Sequence, residues 1–348
     1  MTRLKGAPEA LAGAYDLALL DLDGVVYLLQ QPIPEAAATI AALPGLDCEP
    51  VFVTNNASRS PETVADALRG MGVPAEDAQV LTSAQVVAEI LRERLGTGAR
   101  VLVTGSEALR AAVEAQGLAT TKDPKDAQGI AYGMIPTLTW RDLADLTIAA
   151  RNGAVWVATN LDGTLPTPDG PLPGTGALAG AIAVALGRGP DVVAGKPEPG
   201  IYQAAMARKA GGRAIMVGDR PDSDIEGANR AGIDSLLVFT GVASPREAMA
   251  LPPEQRPTYL GWSIAALAEA HPEPQWNEAV DRIDCGGWTA VLAASDGGGE
   301  IRLSGEGSEL DAWRSLCELS WAAADMTGYD PTRSPVPESE AARKLLAD

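Results

Sequence analysis

A single histidine, His271, stands in 348 residues, and its scarcity excludes whole classes of chemistry. One imidazole cannot build a zinc cage of several histidines, nor a phosphohistidine enzyme that needs a second catalytic histidine. A Ser-His-Asp triad remains conceivable, but His271 lies in H-P-E-P, between prolines and glutamates, and reads as a linker residue. Only three cysteines are present, Cys48, Cys285 and Cys317, odd in number and far apart. That pattern fits buried thiols in a reducing compartment better than a disulfide framework. Apolar runs fall short of the roughly 18 residues a membrane span needs. The opening M-T-R-L-K-G-A-P-E-A has no signal-peptide apolar region, so a cytoplasmic protein is expected. Basic residues are outnumbered 27 to 46, for a net charge of -19. Nucleic acid and anionic membrane surfaces need a basic patch and are not expected partners; any anion site must be locally positive. Chemistry here must run on carboxylates, hydroxyls, amides and lysine, in a chain long enough for roughly two domains.

What is present begins with Leu17 to Tyr27, L-A-L-L-D-L-D-G-V-V-Y. The apolar run Leu17 to Leu20 has the length of a buried strand and delivers Asp21 and Asp23 at its C-terminal end. Ligands of open α/β sheets bind outside the carboxyl ends of strands, and Gly24 lets the backbone turn away with no side chain in the path. Alone, D-x-D-G reads equally as a solvated turn.

The rest of the chain repeats this rhythm. A helix over about 35 to 43 leads to a strand Val51 to Val53 ending in Thr54-Asn55-Asn56, and Ser60-Pro61-Glu62 opens the next helix. A strand, helix, strand order with polar tips indicates a parallel sheet. After Thr82-Ser83 come helices near 84–95, 106–116 and 139–151 with strands near 100–104, 129–133 and 154–158, a self-contained α/β unit. The segment Thr159 to Gly176 is too punctuated by turn residues to be regular structure. Within it, Asn160-Leu161-Asp162-Gly163-Thr164 imitates the opening motif, but an amide in the first position cannot be a carboxylate nucleophile. From a strand at Asp191 to Ala194 the first rhythm resumes, with Gly195-Lys196-Pro197, a helix near 198–210, a strand Ala214 to Val217 ending in G-D-R-P-D-S-D-I, a helix near 223–231, and a strand Leu236 to Phe239. Residues 272–348 carry -9 of the charge and four of seven tryptophans. That segment reads as a hairpin, Trp288–Ala294 and Glu300–Leu303 around Asp296-Gly297-Gly298-Gly299, followed by an amphipathic helix, Leu310 to Ala324.

In order, D-x-D-G, T-N-N, G-K-P and G-D-x-x-x-x-D at four strand tips resemble the haloacid dehalogenase (HAD) superfamily of phosphohydrolases over about residues 15–262. An insertion between the second and third motifs is similar to the type IIA, C2-capped branch of NagD-like and nitrophenyl phosphatases. T-N-x-D followed by P-x-x-x-G-x-x-P-G-x-G resembles that branch's cap-to-core segment. The resemblance implies an α/β fold: a doubly wound, Rossmann-like parallel-sheet core over 1–83 and 178–270, an inserted α/β C2 cap over 84–177, and a small α+β extension over 271–348. It implies Mg2+ ligated by Asp21, the Asp23 carbonyl and Asp219, with Asp224 orienting. Asp21 would be the nucleophile and Asp23 the acid and base. Gly24, Thr54, Asn55, Asn56 and Lys196 would bind phosphate, with Asn160 and Asp162 near the pocket; Asp222 has no role beyond a cap. An acid at position 23 resembles phosphatases and phosphomutases, not transport ATPases or dehalogenases, while Val25-Val26 departs from the Thr-Val or Thr-Leu of the pattern.

The runs T-N-N-A-S-R-S, T-S-A-Q, A-G-K-P and V-G-D-R, and T-G-V at 240–242, are similar to bacterial glycerol-3-phosphate phosphatases of this branch that carry a C-terminal extension with acetyltransferase-like features. Glycerol 3-phosphate is thus the substrate the resemblance implies. Nucleotide, pyridoxal phosphate, phosphoglycolate and nitrophenyl phosphate specificities stay open, as does a non-catalytic sugar-phosphate-binding regulator. Homodimers through the cap are common in the branch. The extension lacks a glycine-rich acyl-CoA turn, which argues against acetyl transfer.

Overall fold

The computed structural model describes residues 4–167, 169–294 and 299–347. The chain divides into two compact units, Met1–Pro50 with Gly211–Asp348, and Val51–Ala210.

In the first unit, strand Leu17–Leu20 has every residue at most 1% exposed, as an unbroken apolar run requires when both faces of a parallel strand are covered. It pairs in parallel with Ala214–Gly218, which pairs with Asp234–Val238 and that in turn with Tyr259–Gly261. Leu20 stands opposite Val217, and Asp21 N–H donates to the Val217 carbonyl at 3.0 Å, so the two acidic tips emerge at one end of the sheet.

The same unit contains the C-terminal region. Its five strands run in the order Gln275–Trp276, Arg282–Cys285, Trp288–Ala293, Glu300–Gly305, Val336–Pro337, the first three pairs antiparallel and the last parallel. The expected hairpin is its centre, with Trp288 opposite Gly305; the Asp296–Gly298 part of its turn lies outside the described residues. Helix Glu309–Thr327 packs on this sheet and on Tyr259–Gly261. The expected amphipathic helix is more deeply enclosed than an amphipathic pattern requires: every residue from Leu310 to Ala323 is buried, because both of its sides are covered. Its buried charged residues are paired. The Arg314 guanidinium forms an ion pair with Asp311 and donates to the Leu260 carbonyl at 3.0 Å and to His271 Nδ1 at 3.0 Å. Glu318 accepts from Leu4 N–H at 2.9 Å. His271 is only 2% exposed and its Nε2 bonds the Ala266 carbonyl at 2.8 Å, so the linker reading is corrected: the ring is a packed core group. The three cysteines are free and buried.

In the second unit, Glu49–Thr54, which enters it from the first, pairs in parallel with Val80–Thr82. A separate parallel sheet runs Val192–Val193, Val155–Ala158, Gly129–Tyr132, Arg100–Thr104, Ala119–Thr121. Among its helices, Ser83–Leu95 begins behind Thr82 and Gln85, Glu107–Ala115 behind Ser106, and Trp140–Arg151 behind Thr139 and Asp142, each with a capping side chain. Two differences from the sequence reading follow from pairing. The strand near 191–194 shortens to Val192–Val193 and joins this sheet beside Val155–Ala158. The loop 159–176 contains a hairpin, Thr164–Thr167 with Gly170–Pro173. Its prolines are tolerated because an isolated two-stranded ribbon leaves its outer N–H positions to solvent.

Candidate active site

Three carboxylates meet at the sheet end of the first unit. Asp21, Asp219 and Asp224 each offer an oxygen within 4.8 Å of the others. Asp21 follows strand Leu17–Leu20 directly, with Leu22 buried next to it and Asp23 exposed beyond. Asp219 and Asp224 follow Ala214–Gly218, whose register with Leu17–Leu20 brings Asp219 to within one residue of the level of Asp21. A single π-turn, Pro221–Ile225, then lifts Asp224 back toward the tip, where its Oδ2 accepts the Arg220 N–H at 3.1 Å. Asp219 and Asp224 are 2% and 0% exposed. Glycines make the room. Gly24, at φ +82°, is pressed against the Asp219 carboxylate and Gly218 against Asp224, and a Cβ at either position would overlap those groups.

Like charges this close disfavour one another, and burial adds to the penalty. An all-oxygen donor set in a cradle with no side-chain bulk fits a hard divalent cation such as Mg2+ and suits softer, nitrogen- or sulfur-seeking metals poorly. Asp23, which is exposed, is outside this carboxylate group. Asp222, left without a role by the sequence, forms a two-pronged pair with Arg220, at 3.1 and 2.9 Å. Sequence reasoning missed the loop Thr240–Val242, whose hydroxyl and amide bond the Gly24 carbonyl and, at 2.7 Å, Asp219 Oδ2. Its only signal was the T-G-V after a strand.

Within the second unit the remaining candidates form their own network. The Asn55 carboxamide holds the backbone of Lys196 from both sides, donating to its carbonyl at 2.9 Å and accepting its N–H at 2.7 Å. Asn55 is therefore first a positioning group for Lys196, a residue only 4% exposed and joined to Pro197 by a cis peptide bond. The Asn55 carbonyl accepts from Ser83 Oγ at 2.8 Å and Asn160 Nδ2 at 3.1 Å. Asn160 also accepts the Asp162 N–H at 3.2 Å, so the imitation motif is an Asx turn bracing the Asn55 loop. Thr54 Oγ1 accepts from Asn56 N–H at 3.1 Å, and Asn56 Oδ1 from Ser58 N–H at 2.8 Å.

The haloacid dehalogenase-like hydrolase model matches residues 18–119, and an HAD-hydrolase-like model matches 193–267. The D-glycerol 3-phosphate phosphatase of Mycobacterium tuberculosis is 39% identical over 322 residues, 90% of this chain and 88% of that protein. A crystal structure of glycerol phosphate phosphatase from the same organism, in complex with magnesium, superposes with a TM-score of 0.83 at 37% identity, covering 97% of this chain and 98% of that one. The 4-nitrophenylphosphatase of Thermotoga maritima has a TM-score of 0.69 at 31% identity, covering 74% of this chain and 98% of its own. With an acidic triad at its strand tips and matches of this extent, the chain belongs to the haloacid dehalogenase-like hydrolase family.

Proposed function

We propose that the protein is a Mg2+-dependent phosphatase that hydrolyses glycerol 3-phosphate to glycerol and phosphate. The observation that carries the reading is the glycine-walled cluster of Asp21, Asp219 and Asp224 at the tips of neighbouring parallel strands. The choice among phosphate esters rests on the 39% identity to the mycobacterial glycerol 3-phosphate phosphatase across 90% of the chain. Asp21, the Asp23 carbonyl, Asp219 and Asp224 would hold the cation, which when bound neutralises charge on the phosphoryl oxygens. In the proposed reaction an Asp21 carboxylate oxygen bonds to phosphorus as the ester P–O bond breaks, and Asp23 gives its proton to the departing alkoxide. Water, losing a proton to Asp23, then attacks the aspartyl phosphate and releases phosphate, restoring both acids. Lys196 and Thr54 are assigned to the phosphate charge, with the Asn56 carboxamide as a further donor and Gly24, whose own N–H is given to the Tyr27 carbonyl at 2.8 Å, leaving the approach free of a side chain, and Asn55, Asn160 and Asp162 shaping the loop that carries them.

The same proposal includes the division into core 1–83 and 178–270, cap 84–177 and extension 271–348. Pairing of Val192–Val193 with Val155–Ala158 argues for carrying the inserted region on to about residue 194. It also includes a cytoplasmic setting, consistent with three free buried thiols, a homodimer through the cap, and no nucleic-acid or membrane partner. No helix among the described residues is long and apolar enough to cross a membrane.

A phosphate-release screen tests the reading. Glycerol 3-phosphate should give the highest kcat/KM against a nucleoside monophosphate, pyridoxal phosphate, phosphoglycolate and nitrophenyl phosphate. Turnover should vanish with EDTA, return with Mg2+, and fall at least about 10³-fold in Asp21→Asn. Another ester at the top would reassign the specificity. Binding of sugar phosphates with no turnover of any ester would favour a non-catalytic regulator.

A further inference from the structure

Strand Asp234–Val238 carries none of the acids, yet the loop that follows it reaches both acidic tips. Its Leu237 pairs with Gly218, so the chain leaves the sheet level with Asp219. Thr240 Oγ1 then donates to the Gly24 carbonyl, one residue beyond Asp23. Two residues on, Val242 N–H donates to Asp219 Oδ2 at 2.7 Å, and Ala243 N–H donates to the Asp219 carbonyl at 3.1 Å. Between them Gly241 lies so close that a Cβ there would overlap the Asp219 carboxylate and stand 2.8 Å from Gly24 Cα. Three consecutive residues thus tie the Asp21–Gly24 turn to the side chain of Asp219.

We propose that Thr240, Gly241 and Val242 form a positioning clamp for the cation site, with the Thr240 hydroxyl fixing the Gly24–Val25 peptide plane, the next one along from the Asp23 carbonyl, and the Val242 amide fixing the rotamer of Asp219. The proposal rests on the reading of the site as a Mg2+-dependent phosphatase. Its physical basis is that a carboxylate's side-chain plane and a carbonyl's direction are soft torsions. A ligand set assembled from two separate loops keeps its geometry only if something spans them. Thr240 suits the task because its β-branched side chain has few χ1 choices, so its hydroxyl is aimed with little entropy to lose. The Val242 side chain is 67% exposed, so what that residue brings to the site is its amide, a donor that cannot rotate away. Asp219 is thereby held by one turn of chain that also holds the nucleophile's own turn, and a shift of either tip is transmitted to the other.

The test is Mg2+ binding by titration calorimetry on the full chain, free of substrate, for the wild type, Thr240→Val, Thr240→Ser and Asp219→Asn, with steady-state kinetics at saturating Mg2+ alongside. Thr240→Val keeps shape and loses the donor. It should raise the Mg2+ dissociation constant by about 10-fold or more, the range seen when groups behind metal ligands are removed. KM for the ester should be little changed, and Thr240→Ser, which keeps the donor but not the branch, should bind Mg2+ clearly better than Thr240→Val. Melting without Mg2+ reports folding, and Thr240→Ala, which drops the same hydroxyl without replacing it, gives a second measurement if the valine variant is unstable. Wild-type affinity in the folded valine or alanine variant overturns the clamp, as does a serine variant that binds as poorly as the valine one. A wild type that binds no Mg2+ overturns the phosphatase reading and the clamp with it, whereas binding abolished by Asp219→Asn but untouched at Thr240 overturns the clamp alone.

Discussion

His271 shows how far a residue's surroundings can depart from its sequence neighbours. Flanked by Pro272 and Glu273, it is nevertheless enclosed, with Tyr259 edge-on at 5.4 Å, Arg314 on Nδ1 and the Ala266 carbonyl on Nε2. That arrangement needs a neutral ring, with the proton on Nε2. Burial, foremost, and the Arg314 charge push its pKa below the ordinary 6.5, against opposing contributions from the Ala266 carbonyl and Asp311. In acid the unfolded chain therefore binds a proton that the folded chain resists. The stability from this group is full above about pH 6.5 and is lost as pH falls through the window beneath it. Urea midpoints should accordingly drop more between about pH 7.5 and 5.5 for the wild type than for His271→Gln. Equal drops would show that His271 does not set the slope. Asn55 makes the same point at the site: its sequence position suggested a phosphate ligand, while its two bonds to Lys196 make it the group that holds the lysine's backbone in place.

At the scale of elements, helix Glu309–Thr327 is the clearest case of packing overriding pattern. An amphipathic pattern leaves one face for solvent, yet Asp311, Arg314 and Glu318 are all buried and bond to one another or to the Leu260 and Leu4 backbone. Leu316, fully buried within the apolar cluster that also holds Trp288, Trp313 and Trp321, has no water-facing alternative. Leu316→Ala should lower unfolding free energy by about 2–5 kcal/mol in denaturant titration. A loss under about 1 kcal/mol would mean the helix can shift to refill the space. The hairpin at Thr164–Pro173 is the converse, an element built from residues that signal loops, its Leu165 and Leu172 paired across strands and both substantially exposed.

For the whole molecule, the C-terminal region is not an appendage. One apolar cluster joins Ile225, Leu237, Met249 and Leu260 of the hydrolase half to Ile283, Leu303, Leu316 and Trp321. Removal of residues 272–348 would bare that surface, even though the Thermotoga enzyme is matched over 98% of its length by only 74% of this chain. The truncated chain 1–271 should aggregate or bind a hydrophobic dye strongly. A soluble, active truncation would show that the shared cluster is dispensable. The amino-acid sequence by itself determined the alternation of strands and helices, the acids at the strand tips and the family resemblance. Each is written locally: a four-residue apolar run, a carboxylate after it, a glycine to turn on. It could not determine which tips meet. The carboxylate triad exists because parallel pairing sets Leu20 against Val217 and a π-turn returns Asp224 to the same end, and the Thr240 loop reaches both tips because Leu237 lies beside Gly218. The pairing of Leu20 with Val217 and the bond of Thr240 to Gly24 join residues roughly two hundred positions apart, and only strand register, fixed by burial of both sheet faces, decides them.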